Sequence, residues 1–163
     1  MSLHVPVAVP KCPRCKGSDI SKLDGQCALC RPCSRLRRGV YYFCWACRRE
    51  WPTAAKAHAA CSLAHCALRA ALLSDKLIVD PDSSALGCPF FRACPQCKAL
   101  LTHDGKGCPN MVCPQCHAHF CFRCLRQRCY GIGVFALQQM LHEHCPETCT
   151  IVDNSRSLAA LGL

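Results

Sequence analysis

Between His103 and Cys124 the chain reads HDGKGCPNMVCPQCHAHFCFRC. Four of its five cysteines, Cys113, Cys116, Cys121 and Cys124, form two C-x2-C pairs. Two thiolates at that spacing meet one ion, the pattern of a zinc site. The fifth, Cys108, stands outside the pattern in a polar, glycine-flanked loop. A thiol there is open to close approach by another chain, and Lys106 and His103 nearby in sequence favour its thiolate form. A nucleophile also needs a base or orienting group, for which His103, His117 and His119 are the candidates.

The pairs recur in a repeat. From Cys12 they run Cys12/Cys15, fourteen residues, Cys30/Cys33, ten residues, Cys44/Cys47. From Cys94 they run Cys94/Cys97, fifteen residues, Cys113/Cys116, four residues, Cys121/Cys124. The openings KCPRC and ACPQC match, as do FCWACRREW and FCFRCLRQR. Two copies of one zinc-binding plan therefore sit in tandem, and each needs closing ligands after its third pair. In the first copy Cys61 and Cys66 are the closing ligands, with His58 and His65 as alternatives. In the second they are Cys129 and Cys145, with His142 and His144 close by. Four structural zinc ions of four ligands each result, leaving Cys27, Cys88, Cys108 and Cys149 spare.

Composition agrees. Twenty of 163 residues are cysteine, so the hydrophobic fraction of 51% overstates the apolar core, and aromatic residues make up only 7%. A chain so built is held by disulfides or by metal. MSLHVPVAVP lacks a basic leader region and is broken by Pro6 and Pro10, no N-x-S/T sequon occurs, and the cysteines come as C-x2-C. The expectation is zinc in a reducing compartment, cytoplasmic or nuclear. Each zinc held by four thiolates carries −2, so four sites lower the formal charge of +10 to about +2. That corrected charge argues against nucleic acid as a partner. No segment approaches the ~20 apolar residues of a membrane span.

The expected fold is a small zinc-stabilised α+β chain. Two tandem modules of short β-hairpins and loops, residues 10–66 and 88–146, are joined by a helical linker at 67–87 and followed by a tail at 147–163. VYYFCW and HAHFCF read as strands that deliver thiolates to metal, with Phe43, Trp45, Phe120 and Phe122 as a thin apolar layer. ALRAALLS reads as a short helix, KLIV as a strand, DPDSS as a turn, and SRSLAALGL as a frayed helix or tail.

CPQCKALLTHDGKGCPNMVCPQCHAHFCFRC resembles the second RING, the catalytic module, of the RING-between-RING ubiquitin ligases. CPRC…CALCRPC…YYFCWACRREW resembles the in-between-RING module before it. The likeness covers about residues 10–130 and includes the Gly-Cys-x-x-Met loop. It implies that Cys108 accepts ubiquitin as a thioester from a conjugating enzyme and passes it to a substrate amine, with zinc purely structural. Two departures stand out. Many family members carry histidine two residues after the acceptor cysteine, where this chain has Asn110, which is no base at neutral pH. The family's first RING should precede the in-between module, yet only eleven residues stand before Cys12. The alternative is a zinc-stabilised adaptor that holds ubiquitin or another protein without chemistry.

Overall fold

The computed structural model describes residues 9–52, 55, 59–104, 106, 109–127 and 149–163. The chain divides into two units, Met1–Ala70 and Ala71–Leu163.

The first unit is built on a three-stranded antiparallel sheet in the order β1-β2-β3, from β1 (Ile20–Lys22), β2 (Cys27–Cys30) and β3 (Tyr42–Cys44). The β1–β2 turn places Gly25 at φ 76°, a backbone conformation that glycine adopts without side-chain strain. Helix α1 (Arg31–Arg37) starts where β2 ends. Pro32 occupies its first turn, where no amide donor is missed, and Ser34 Oγ donates to the Cys30 carbonyl at 2.6 Å. Arg38 closes it in the left-handed conformation, φ 52°.

Strand alternation sorts the side chains of this sheet onto two faces. Ala28, Cys30, Tyr41 and Phe43 cluster with Cys12 and Cys33. Cys27 and Cys44 cluster instead with Cys47 and Trp51. Each face thus carries one small apolar layer and one group of cysteines. Trp45 is half-buried against the first layer.

The second unit has two hairpins, β4 (Phe91–Ala93) with β5 (Leu100–Thr102) and β6 (Asn110–Val112) with β7 (His119–Cys121). Their core gathers Ile78, Ala85, Cys88, Leu101, Phe120 and Phe122. Helix α2 (Cys66–Leu72) crosses the boundary between the units. The segment after it belongs to the second unit rather than being a free linker. KLIV forms only an isolated bridge, Leu77 to Pro89, while Ile78 N–H donates to Cys88 O (2.9 Å) and Gly87 N–H to Ile78 O (2.8 Å). Too few neighbouring backbone groups face it to extend a strand.

The C-terminal stretch also packs within this unit and ends in helix α3 (Ser155–Ala160). Its anchor is Arg92, a fully buried arginine. Arg92 donates to Phe122 O (3.1 Å), Arg123 O (3.0 Å) and Asn154 Oδ1 (3.2 Å). Asn154 in turn donates through Nδ2 to Phe91 O (2.9 Å) and Leu72 O (3.2 Å). Burial disfavours the charge on Arg92, and Cys88 and the carboxylate of Asp153 counter only part of that cost.

Among the described residues no helix is long and apolar enough to cross a membrane. The apolar layers are thin: a buried phenylalanine contributes roughly 1.5–3 kcal/mol, whereas one structural zinc site contributes about 10–16 kcal/mol. Metal therefore dominates the energetics of both units.

Candidate metal centres

The sulfur ligands are presented by one local device used five times. In Cys12–Lys16, Cys44–Arg48, Cys94–Lys98, Cys113–His117 and Cys121–Leu125, the fifth residue donates its N–H to the carbonyl of the first cysteine at 2.8–3.0 Å. That fifth residue is left-handed each time, with φ between 55° and 66°. The first cysteine's own N–H donates to the carbonyl of the residue after it, as in Cys12 to Gly17 (2.9 Å) and Cys121 to Arg126 (3.0 Å). The closed loop aims both sulfurs to one side. In the second unit the Cys94 and Cys113 loops are also the hairpin turns joining β4 to β5 and β6 to β7.

Four clusters result. Centre 1 is Cys12, Cys15, Cys30 and Cys33; centre 2 is Cys44, Cys47, Cys61 and Cys66; centre 3 is Cys94, Cys97, Cys113 and Cys116; centre 4 includes Cys121, Cys124 and Cys149. Tetrahedral zinc with Zn–S bonds of about 2.3 Å places its sulfurs about 3.8 Å apart. The closest sulfur pairs lie at 3.8 and 3.6 Å in centre 1, 3.8 and 3.9 Å in centre 2, 3.6 Å in centre 3 and 3.7 Å in centre 4. A disulfide requires about 2.05 Å. Donor type, number and spacing all fit structural zinc, about four ions in the chain. Centres 1 to 3 present four thiolates each, which close the coordination shell and leave no position for water or substrate.

The Cys30/Cys33 pair differs from the other five. Cys30 caps α1 and Cys33 lies in its first turn, so a helix start replaces the second loop. Local backbone donors govern how the thiols ionise before metal arrives. The Gly17 N–H holds Cys15 down at about 7, and the Cys116 N–H does the same for Cys113. Burial pushes Cys30 up to about 12, and Cys44 and Cys121 to about 11. Zinc must therefore displace protons from the buried thiols as it binds.

Arginines surround centres 2 and 4. Arg69 Nε donates to Cys47 O (2.7 Å) and Arg49 Nη2 to Ala64 O (2.7 Å). Burial opposes ionisation of Cys47, and the Arg49 side chain overcomes it, holding that thiol below its ordinary range. At centre 4, Arg123 donates to Cys149 O and Ser84 O, both at 3.3 Å. The Nε atoms of Arg49 and Arg123 are buried without a hydrogen-bond partner among the described residues. Both belong to cations set beside zinc–thiolate centres, whose net negative charge favours them.

Cys149, spare by spacing, joins Cys121 and Cys124 in the structure. It lies far from Cys124 in sequence, and Cys129 and Cys145 offered nearer sulfurs. Those two residues, with His142, His144 and His58, lie outside the described residues. His65 is exposed in the left-handed region (φ 57°) and joins none of the clusters among the described residues. The spare thiols Cys27 and Cys88 are wholly buried, and burial raises both above the ordinary thiol range. Cys27 is an apolar filler, whereas Cys88 sits against the Arg92 guanidinium.

Cys108 lies outside the described residues, but the chain on either side of its loop is placed. Pro109, directly after it, is fully buried, and its carbonyl accepts the Phe122 N–H at 2.7 Å. His103, before it, is buried with its ring 5.2 Å from that of Phe122 and its Nδ1 3.6 Å from Asp104 Oδ1. Both flanks are thus fixed to the loop that bears Cys121 and Cys124. His119 pairs with Val112 and Asn110 with Cys121, so His119 and Asn110 share one face of the hairpin. His117 is exposed, beyond the strand, in the left-handed loop position.

Residues 89–130 match the family model of the IBR domain. That stretch holds centre 3 and the first two ligands of centre 4, so the second unit contains an IBR-type zinc finger. Searches of the curated proteins and of the solved structures return no match.

Proposed function

We propose that this chain is the catalytic half of a RING-between-RING-type ubiquitin ligase, acting in a reducing compartment, with Cys108 as the acceptor. In the first step the Cys108 thiolate attacks the thioester carbonyl of ubiquitin on a conjugating enzyme. The C–S bond to the new sulfur forms, the old one breaks, and the enzyme's thiolate leaves. In the second step a substrate amine attacks the new thioester, Cys108 leaves as thiolate, and the amine's proton passes to a base. Zinc takes no part in either step.

The observation that carries this reading is the anchoring of both flanks of Cys108 on Phe122, within an IBR-type finger. Such anchoring gives a polar, glycine-rich loop fixed ends, which suits a nucleophile that must meet two macromolecules in turn. Asn110 cannot take the amine's proton. We assign that role to His103, because its ring and the carbonyl of Pro109 both meet Phe122 and Asp104 lies beside its Nδ1.

The test is a thioester trap with ubiquitin-loaded conjugating enzyme, a first RING supplied in trans, and gels run with and without reductant. A reductant-sensitive adduct absent from Cys108→Ala is expected. His103→Asn should still charge but discharge onto lysine about 10²-fold more slowly. The second reading, an adaptor without chemistry, is favoured by Asn110. It would be adopted if no adduct formed at full zinc occupancy while an active ligase of the family charged in parallel.

A further inference from the structure

The near-neutral charge of the zinc-loaded chain hides an asymmetry. Residues 1–70 hold twelve Lys and Arg against three Asp and Glu, while residues 71–163 hold eight against seven. Two thiolate centres in each unit subtract about four charges from each. The first unit is left near +5 and the second near −3. A split of that size marks an interaction surface rather than a solubility device.

The charge has a focus. Arg35 to Val40 (RLRRGV) are six consecutive exposed residues at the end of α1 and just after it. Leu36 is 84% exposed and Val40 54%, so apolar groups sit among the arginines. Arg37 is held by Glu50 at 2.6 Å and Arg31 by Asp19 at 3.4 Å. Among the described residues Arg35 and Arg38 have no carboxylate within ion-pair distance. Beside this run lies a hollow of about 380 Å³ lined by Arg37, Val40, Tyr42, Glu50, Trp51 and Pro52, among others. The buried indole N–H of Trp51 has no acceptor among the described residues.

We propose that the end of α1 and this hollow form a docking site for an acidic linear segment of a partner protein. Carboxylates of the segment meet Arg35 and Arg38, and an apolar side chain packs on Leu36 and Val40 toward the hollow. Charge complementarity selects an acidic partner, and the exposed aliphatic side chains select protein over nucleic acid. Nucleic acid would call for exposed aromatic rings among the cations, whereas Tyr41 and Trp51 are buried and Tyr42 is half-buried. The site is independent of Cys108 and of any ligase activity.

The test is fluorescence anisotropy of the zinc-loaded full chain with a labelled twelve-residue peptide of Glu and Asp carrying two leucines. The expected result is binding that weakens with salt, falls about tenfold in Arg35→Glu/Arg38→Glu and falls severalfold in Leu36→Ser. Zinc content and melting of both variants should match the parent, since all three side chains are exposed. Equal binding by the charge-reversed variant, or no binding by the parent, would overturn the proposal. A peptide with serine for leucine that binds as well would reduce the site to diffuse charge attraction and overturn it too. Tighter binding of a single-stranded RNA twelve-mer than of the peptide would reassign the surface to nucleic acid.

Discussion

The two units place nearly the same interval between their first and second cysteine pairs, fourteen residues in one and fifteen in the other. They use it in opposite ways. In the first unit the interval is absorbed by the β1–β2 hairpin, and its extra cysteine, Cys27, is buried opposite Cys44 in the sheet. In the second unit the interval instead carries β5 and β6, which belong to separate hairpins. In sequence Cys108 falls between those two strands. Sheet pairing buries one extra cysteine, whereas the strands that flank the other in sequence pair with different partners. Ligand spacing alone does not distinguish the two.

The largest effect should come from metal removal, to which both units should respond alike. Strong chelation is expected to abolish the cooperative melt of the whole chain and release about four zinc ions, measured by circular dichroism and a chromophoric chelator. A unit that kept its fold without metal would break the equivalence. Trp45 and Trp51 make the test selective, because the chain's only two tryptophans both lie in the first unit.

Ligand substitutions sharpen the contrast next. Cys113→Ser and Cys149→Ser should each lose one zinc equivalent and destabilise the second unit by several kcal/mol. Cys27→Ser and Cys108→Ser should retain about four ions. Elemental analysis of the purified variants decides, and a lost equivalent in Cys108→Ser would make that residue a ligand rather than a nucleophile.

Arg92→Met should cost the second unit about 3–5 kcal/mol, because it leaves Asn154 Oδ1 and two buried carbonyls without their donor. Tryptophan fluorescence, which reports the first unit, should show an unchanged transition while circular dichroism shifts. The smallest effect is expected at His117, exposed at φ 59°. His117→Gly should raise stability by about 0.5–1 kcal/mol by relieving the left-handed strain, read as a higher melting temperature.

The C-x2-C pairs made most of the scaffold legible, because two thiols at that spacing have few other uses. Cys61 and Cys66 were legible as the nearest sulfurs able to close centre 2. Phe43, Phe120 and Phe122 were legible as core through their place beside ligands. The helix start at Cys30 was not read, although Pro32 marks it. Cys149 and Arg92 were hidden for a different reason. Both depend on the C-terminal stretch folding back onto the second unit, and no spacing rule encodes a contact such as Arg92 to Asn154. Non-local polar contacts of this kind appear only once the packing is known.

The order of the centres along the chain has a consequence for biosynthesis. Centres 1, 2 and 3 draw their ligands from consecutive stretches, and each can load as soon as its last cysteine leaves the ribosome, at residues 33, 66 and 116. Centre 4 waits from Cys124 to Cys149, about 25 residues, or on the order of 1–5 s at ordinary rates of synthesis. Until Cys149 emerges, Cys121 and Cys124 lack a ligand of their centre and stay open to oxidation or to capture of the wrong metal.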